Sequence, residues 1–203
     1  LHPDFVRKTK EFIVHLRSII HEYHDIFTKS VIARTRLKGV GLLSREDAIS
    51  LGCTGGTGRA SGWANDVRKH HPYAMYGKVD FKEITYTHGD AFDRYMVRMD
   101  EIMESCRIIE QLIDNVPEGE FRVKTKPILK LPEGVFTASV EASRGEFGVS
   151  LISRGDKTPY RLHYRSTGLP LVHAMDTVCR GGKIADLIAI GGTMDFVIPD
   201  IDR

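Results

Sequence analysis

Apolar residues recur at every third or fourth position over two long parts of the chain, which is the spacing of a helix with one buried face. The first part extends from about residue 3 to residue 27, and the second and stronger part from 90 to 116. Asp90 can cap the second helix, and Pro117 can end it. The pattern therefore predicts two long amphipathic helices.

Between these helices the periodicity is weaker. Ser44, followed by an aspartate three positions later, is a capping-box-like start for a short helix that Gly52 would end. The segment 52–62 contains five glycines and predicts a loop. The segment 63–89 is interrupted by Pro72 and further glycines, which predicts irregular structure.

After a basic, proline-flanked linker, the pattern changes from helical spacing to alternation. Apolar and polar residues alternate over 135–141 and 146–153, which a turn separates, and 160–165 could form a third strand. Helical spacing returns over 169–178 and 184–190, and an irregular tail is expected from residue 193 onward.

These elements predict an α+β, helix-dominated fold with a small antiparallel β hairpin or sheet. We expect residues 1–123 to form a helical portion, and residues 124–203 to contribute the hairpin, the C-terminal helices and the tail of one continuous fold. Helical spacing begins at the first residues and no initiator methionine precedes it. The chain is therefore expected to be a piece of something longer.

Composition narrows the possible functions. The 203 residues can bury a hydrophobic core, and 29 basic against 27 acidic residues give a net charge of +2, which does not favour nucleic acid as a partner. No stretch approaches the roughly 20 apolar residues of a membrane-spanning helix. Three separated cysteines, Cys53, Cys106 and Cys179, argue against a disulfide scaffold and favour a reducing compartment.

The glycine-rich segment does not fit a nucleotide-binding motif. In a phosphate-binding P-loop, a lysine and a hydroxyl residue follow the last glycine, but Arg59 and Ala60 follow Gly58. The dinucleotide fingerprint fails as well, because Ser61 occupies its third glycine position. Close packing of the backbone explains these glycines better.

Metal and catalytic sites have little support in the sequence. The histidine pairs at 21 and 24 and at 70 and 71 match no recognised zinc spacing, so surface histidines are the favoured interpretation. Cys106 lies on an apolar stripe and predicts a buried structural thiol. The charged residues of the helix over 90–116 are interpreted mainly as a solvated face, with an electron-transfer or proton-coupling role left open for some of them. They are Asp93, Arg94, Arg98, Asp100, Glu101, Glu104 and Arg107.

Four blocks between about Gly39 and Arg203 carry a family resemblance in colinear order. They are GVGLLSREDAISLGCTGGTGRASGWANDVRKHHPY, GDAFDRYMVRMDEIMESCRIIEQLIDNVPEGE, VEASRGEFGVSLIS with PYRLHYRSTG, and ADLIAIGGTMDFVIPDIDR. Together they resemble the 49-kDa (D) subunit family of NADH:quinone oxidoreductase, the respiratory complex I. The last block matches the family's C-terminus, including the final Asp202-Arg203, so the resemblance implies the C-terminal half of a longer subunit. A helix usual in the family is missing between Glu120 and Gly134, and the usual ending G-E-V-D-R is replaced by PDIDR, which suggests a divergent branch or a fused C/D subunit.

The resemblance implies a core like that of the nickel–iron hydrogenase large subunit. Hydrogenases hold their metals with two C-x-x-C pairs, since soft thiolates secure nickel and iron. The chain has no such pair, and aspartates occupy its C-terminal region. A hydrogenase with a bound nickel–iron centre is therefore excluded.

The resemblance further implies a quinone-site subunit that couples electron transfer from NADH, through iron–sulfur clusters, to proton translocation. The family's quinone-contacting histidine and tyrosine lie outside this part, whereas Val197, Asp202 and Arg203 match positions that line the quinone cavity. A proton-coupling network or a structural salt bridge could each explain the last two. Arg144 and Glu146 either pair to hold the hairpin turn or face a partner subunit.

Expected partners are the iron–sulfur (B-type) subunit and other peripheral-arm subunits, with the membrane arm contacted indirectly. The chain itself is expected to bind no cofactor or metal, with quinone as substrate at the subunit interface and the iron–sulfur cluster in the partner. We expect a peripheral position on the cytoplasmic face of the bacterial inner membrane, and no turnover by the isolated chain. The alternative is a non-catalytic scaffold or assembly module of a hydrogenase-related complex.

Overall fold

A computed structural model describes residues 2–120, 122–125 and 130–201. Helices dominate this part and one small antiparallel sheet accompanies them, so the predicted α+β, helix-dominated fold is confirmed. In chain order the helices are α1 (Phe5–Tyr23), α2 (Val31–Leu37), α3 (Arg45–Ser50), α4 (Gly55–Ala60), α5 (Val67–His70), α6 (Ala91–Leu112), α7 (Gly168–Cys179), α8 (Ile184–Met194) and α9 (Ile198–Ile201). The strands are β1 (Gly134–Ala142), β2 (Gly145–Ser153) and β3 (Arg161–Arg165).

The two long predicted helices are confirmed as α1 and α6. α1 continues into a π-helical turn at His24–Thr28, and α6 ends in a 3-10 turn at Ile113–Asn115. Ion pairs join the two helices near the end of α6: Arg17 lies 2.7 Å from Glu110, measured between Nη2 and Oε2. Both side chains are well exposed, so this pair contributes little to stability.

The short helix predicted after Ser44 is confirmed as α3, and the Ser44 hydroxyl accepts the N–H of Asp47 at 3.0 Å. The preceding helix, α2, was not predicted. Its N-cap is Ser30, whose hydroxyl accepts the N–H of Ala33. Because α2 has only seven residues, its periodicity is too brief to stand out in the sequence.

The prediction of a loop over 52–62 is wrong at its centre, where α4 forms. All six residues of α4 are buried, including Arg59. A Cβ at Gly58 would collide with the carbonyl oxygen of Cys53, so glycine permits the close approach of these two backbone segments. The segment has low helix propensity, and its tertiary packing overrides that preference.

The segment 63–89 is largely irregular, as predicted, but it contains α5 and a 3-10 turn at Tyr76–Lys78. Asp66 caps α5 by accepting the N–H of Arg68 at 2.9 Å. The prediction was wrong at these two turns because each is too short to produce a periodic pattern.

Asp90 caps α6 as predicted, and it also binds a second segment. Its Oδ1 accepts the N–H of Asp93 at 2.8 Å, and its Oδ2 accepts the N–H of Gly39 at 2.7 Å. One carboxylate thus starts α6 and fixes the segment that follows α2.

The interpretation of the charged side chains of α6 as a solvated face is wrong. Asp93 and Arg94 are buried, and the other members of that set are half-buried. Asp93 Oδ2 accepts the N–H of His88 at 2.8 Å. The reason is topological, because the segments around residues 41 and 89 cover the start of α6 and supply polar partners there.

We expect Asp90→Ala to lower the free energy of unfolding by about 2–3 kcal/mol, since it removes both hydrogen bonds of a buried anionic cap. A urea titration of the full-length protein measures this change. Ser44→Ala is the matched control, because it removes one cap bond from the more exposed helix α3, and about 1 kcal/mol is expected. Equal losses in the two variants would contradict the double role of Asp90.

The three predicted strands are confirmed, and they form one sheet in the order β1-β2-β3. β1 and β2 pair antiparallel from Gly134↔Ser153 to Ala142↔Gly145. β3 pairs antiparallel with β2. The turn between β1 and β2 consists of Ser143 and Arg144.

The two predicted C-terminal helices are confirmed as α7 and α8. They pack on the buried residues Leu43, Ala48 and Cys53 to form a hydrophobic core cluster. The prediction of an irregular tail from residue 193 is wrong at two places, because α8 extends to Met194 and α9 forms a short turn. These few residues owe their helical conformation to packing on α7.

No helix in the described part of the chain has both the length and the apolar character needed to cross a bilayer. The helices and the sheet contact each other directly, through α4 with β2 and α5 with β1. The division of the chain at residue 123 stays a prediction.

Candidate functional site

The tip of the β1–β2 hairpin lies on the N-terminal end of α4. Gly145 and Gly55 approach so closely that a Cβ on Gly55 would lie 2.5 Å from the Gly145 Cα. Their φ angles are +125° and +73°, which glycine adopts without strain. Thr54 Oγ1 accepts the N–H of Glu146 at 3.0 Å. Backbone contacts of glycines therefore fix the position of the hairpin.

Arg144, at the hairpin tip, extends to the end of α8. Its Nε donates to the carbonyl oxygen of Asp195 at 3.1 Å, and its Nη2 lies 3.4 Å from Oδ1 of that residue. Arg98 of α6 binds the other oxygen, with Nε 3.2 Å from Oδ2. Asp195 therefore joins the hairpin, α6 and α8.

Of the two alternatives for Arg144 and Glu146, the structure does not show the pairing at the turn, because Asp195 takes the Arg144 guanidinium. Glu146 is held through its main chain instead, by Thr54 and by a hydrogen bond from Arg165 to its carbonyl oxygen. Side chains next to each other at a turn can point to different elements, and that choice depends on the fold. Contact of these residues with a partner subunit stays a prediction.

The C-terminal turn, residues 197–201, packs on the start of α7. The main-chain carbonyl oxygen of Asp200 accepts a hydrogen bond from the Ser166 hydroxyl, and the Asp200 carboxylate accepts one from the Thr167 hydroxyl at 3.2 Å. A Cβ at Gly168 would lie 3.3 Å from the carbonyl oxygen of Val197. Val197 itself is half-buried. The predicted cavity-lining residues Asp202 and Arg203 lie outside the described residues.

Arg98, Arg144 and Asp195 form one ionic cluster. A second ionic cluster lies between α4, α6 and the end of β1, and sequence reasoning did not find it. Arg59 of α4 is almost fully buried and binds two carboxylates. Its Nη2 lies 2.6 Å from Glu101 Oε1, and its Nη1 lies 2.8 Å from Glu141 Oε1. Burial alone would lower the pKa of Arg59, but Glu101 and Glu141 raise it, so this guanidinium stays protonated.

Asp66 and Arg68 extend this cluster. Arg68 Nη2 lies 2.6 Å from Asp66 Oδ2, and the aspartate side chain is almost fully buried. Burial acts to raise the pKa of Asp66, but the hydrogen bonds from Arg68 hold it below the usual value. Asp66 is therefore an anion in the folded protein.

Arg94 of α6 is the largest fully buried side chain in the described part of the chain. Its Nη1 donates to the carbonyl oxygens of Gly41 and Gly89, both at 2.9 Å, and its Nε donates to Thr193 Oγ1 at 3.3 Å. Burial lowers the pKa of Arg94 to about 10, which still leaves it cationic at neutral pH. Arg94 thus joins two loops and α8 to the start of α6.

A cleft of about 400 Å³ separates the hairpin from α6 and connects the two ionic clusters. Both Arg59 and Arg98 line it. Fixed cations and carboxylates around such a cleft can orient a polar group or exchange protons with water. The lining residues are Arg59, Arg68, Arg98, Glu101, Ile102, Ser105, Glu141, Ala142 and Ser143.

The thiols and histidines form no metal-binding set within the residues described, where no three histidine, cysteine, aspartate or glutamate side chains converge as ligands. Cys106 is buried, as predicted. Burial raises the pKa of Cys53 to about 11, which keeps this thiol protonated and unreactive near neutral pH.

Comparisons with known proteins agree with the resemblance seen in the sequence. The family described as respiratory-chain NADH dehydrogenase, 49 Kd subunit, matches residues 1–133 and 123–203. The C/D subunit of NADH-quinone oxidoreductase from Bacteroides fragilis is 74% identical over 203 residues, which are 100% of this chain and 38% of that protein. The corresponding D subunit from Desulfotalea psychrophila is 45% identical over 201 residues, 98% of this chain and 54% of that protein.

A solved structure has the same fold. The matching chain comes from the membrane-bound sulfane sulfur reductase, an archaeal respiratory membrane complex. The TM-score is 0.91 and the sequence identity 34%, over 100% of this chain and 56% of that chain. This chain therefore spans about half, or less, of the length of these relatives. On the combined sequence and structural matches, the chain belongs to the family of the 49 Kd subunit of respiratory-chain NADH dehydrogenase.

Proposed function

We propose that the chain is part of the quinone-side subunit of a proton-translocating NADH:quinone oxidoreductase. The observation that carries this proposal is the 74% identity, over every residue of the chain, to a protein named as the C/D subunit of NADH-quinone oxidoreductase. The chain has no C-x-x-C pair, so it lacks the thiolate ligands that a nickel–iron hydrogenase would need.

The C-terminal turn is the part of this chain that we assign to the quinone cavity. Val197 begins the turn, and Asp202 and Arg203 follow it in sequence. Hydrogen bonds from Ser166 and Thr167 anchor the turn, and the contacts of Asp195 with Arg98 and Arg144 anchor the end of α8 just before it. A cavity wall needs such support, because a reactant must be held within about 0.5 Å of its productive position.

In this proposal, quinone binds between the subunit and its iron–sulfur (B-type) partner, and the partner's cluster supplies the electrons. The residues of this chain bind and orient the quinone at the wall. Other peripheral-arm subunits complete the enzyme, which contacts the membrane arm indirectly from the cytoplasmic face of the bacterial inner membrane. The isolated chain has no turnover, since both the electron donor and the rest of the cavity come from elsewhere.

Val197→Met tests this assignment in the assembled enzyme. The added side-chain volume at a half-buried wall position is expected to raise the KM for quinone about tenfold, equivalent to about 1.4 kcal/mol of binding free energy. Val135→Met, at an exposed position of β1, is the matched control and should leave the KM unchanged. NADH:quinone reductase activity of membranes gives the KM, and NADH:ferricyanide activity reports electron input that does not need the quinone site.

The second candidate is a scaffold or an assembly module, and the fold match to a sulfane sulfur reductase is the observation that favours it. That complex is named for an acceptor other than quinone, so the fold by itself does not define the acceptor. If Val197→Met lowered the amount of assembled enzyme and left the KM for quinone unchanged, the scaffold function would replace the quinone-site assignment.

A further inference from the structure

Glu141 joins three elements of the fold through one residue. Its Oε1 accepts a hydrogen bond from Arg59 of α4 at 2.8 Å, and its Oε2 accepts the N–H of Val67, the first residue of α5, at 3.2 Å. Its own N–H donates to the Tyr73 hydroxyl at 3.2 Å. The Glu141 side chain is 4% exposed. The end of β1 is therefore tied to the helical core through a buried carboxyl group.

The charges around this carboxyl do not balance locally. Arg59, its cationic partner, is shared with Glu101, whose oxygen is the closer of the two at 2.6 Å. The neighbouring guanidinium groups are engaged elsewhere, Arg68 with Asp66 and Arg98 with Asp195. Around Arg59, two carboxylates thus share one cation, whereas at Asp195 two cations, Arg98 and Arg144, share one carboxylate. A buried carboxylate with incomplete local compensation takes up a proton more readily than an exposed one.

We propose that Glu141 is a proton-binding site, and that its proton determines how firmly the β1–β2 hairpin is held on the helical core. The cleft between the hairpin and α6 gives the site access to water, since Glu141 lines it. Burial raises the pKa of Glu141, and the nearby Asp66 raises it further, whereas Arg59 and the N–H of Val67 oppose both.

Protonation of Glu141 bears on the quinone site through the hairpin tip. The tip carries Arg144, which binds Asp195, and Asp195 lies two residues before Val197. Loss of the proton from Glu141 would loosen the hairpin and so release this support of the C-terminal turn. This consequence rests on the proposed function, whereas the proton-binding site itself does not.

Other ionisable groups face Glu141 from the elements packed against it. On β2, Glu146 is its register partner. A histidine of the same region, His70, lies 3.8 Å from Glu83. His70 is exposed and remains in every variant below, so any contribution from it is common to all of them. The facing groups are Arg59, Asp66, Arg68, Tyr73, Arg98, Glu101 and Glu146.

The sign of the pH effect follows from the raised pKa. A carboxyl whose pKa is higher in the docked state than in the undocked state supports docking below the undocked pKa, and that support is lost as the pH rises through the docked pKa. Docking of the hairpin should therefore weaken with rising pH, by at most about tenfold in equilibrium constant per pH unit. Glu141→Gln resembles the protonated form and should remove this dependence.

Hydrogen–deuterium exchange of the peptide that covers β1 and β2 tests the proposal in the assembled complex. Labelling times are scaled so that intrinsic exchange is equal between about pH 5 and pH 9. In the unsubstituted protein, protection of the hairpin should fall several-fold over this range. In Glu141→Gln, protection of the hairpin should stay, at every pH, at the level that the unsubstituted protein shows at low pH. Glu104→Gln, a matched change on α6 outside the cluster, should behave like the unsubstituted protein.

Two results would overturn the proposal. One is hairpin protection that does not change with pH in the unsubstituted protein. The other is lower protection in Glu141→Gln at every pH, because that would identify Glu141 as a permanently ionised partner of Arg59. Since the exchange measurement requires no turnover, its failure would leave the quinone-site assignment to be judged separately by Val197→Met.

Discussion

Arg94→Met is expected to lower the free energy of unfolding by about 3–5 kcal/mol, the largest effect of any single change proposed for this protein. Methionine fills much of the space but cannot donate hydrogen bonds. The carbonyl oxygen of Gly41 would then lose this donor, whereas that of Gly89 would retain the N–H of Leu43, and each lost hydrogen bond costs about 1–3 kcal/mol. The hydroxyl of Thr193 would lose a partner as well.

A urea titration of the full-length protein measures this loss. Arg107→Met is the matched control on the same helix, because Arg107 is half-exposed and forms a surface ion pair with Asp80. We expect a loss below about 1 kcal/mol there. Arg94→Lys should fall between the two, since an ammonium group keeps the charge but lacks the planar fork that reaches both loops and α8. A loss below about 1 kcal/mol in Arg94→Met would show that the loops find other donors.

Gly55→Ala is expected to displace the hairpin tip from α4 and to remove most of the NADH:quinone reductase activity of the assembled enzyme. A Cβ at this position would lie 2.6 Å from both the Arg144 carbonyl oxygen and the Gly145 nitrogen, so the backbone of the turn must move. Overpacking costs about 1–3 kcal/mol, and the φ of +73° adds about 1 kcal/mol of strain for alanine. The displaced tip would carry Arg144 away from Asp195.

The adjacent variant Gly56→Ala provides the control for this experiment. A Cβ on Gly56 would lie 3.6 Å from Val97 Cγ1, an ordinary contact, and alanine favours the helical conformation by up to about 1 kcal/mol. We therefore expect unchanged activity and equal or greater stability. Activity is measured as NADH:quinone reductase relative to NADH:ferricyanide reductase. Similar activity in the Gly55 and Gly56 variants would mean that the hairpin contact does not support the quinone site.

Local patterns predicted the elements whose stability arises within short stretches of sequence. The long helix α6 was found from the spacing of its apolar residues, and its start from Asp90, whose carboxylate accepts an N–H three residues later. The β1–β2 hairpin was found from its alternation and turn. Such features depend on neighbours within a few residues, so they can be recognised before the fold is known.

Elements stabilised by distant contacts were missed. The segment that forms α4 has four residues of low helix propensity or β-branched character among six, and its burial against α6 and the hairpin makes it helical. Asp93 and Arg94 occupy positions that a helical pattern assigns to a polar face, but loops from elsewhere cover them. For the site, the sequence singled out Arg144 but could not identify Asp195 as the residue that its guanidinium binds.

The sequence by itself determined the family, the helix-dominated α+β class, the three strands and the cap of α6, because each depends on local spacing or on long colinear similarity. The tertiary structure decided which charges are buried and which partners they take. It placed Arg144 on Asp195, and it placed Arg59 between Glu101 and Glu141. Burial removes water as a competing partner, so the choice of ion pair depends on which chain segments the fold brings together.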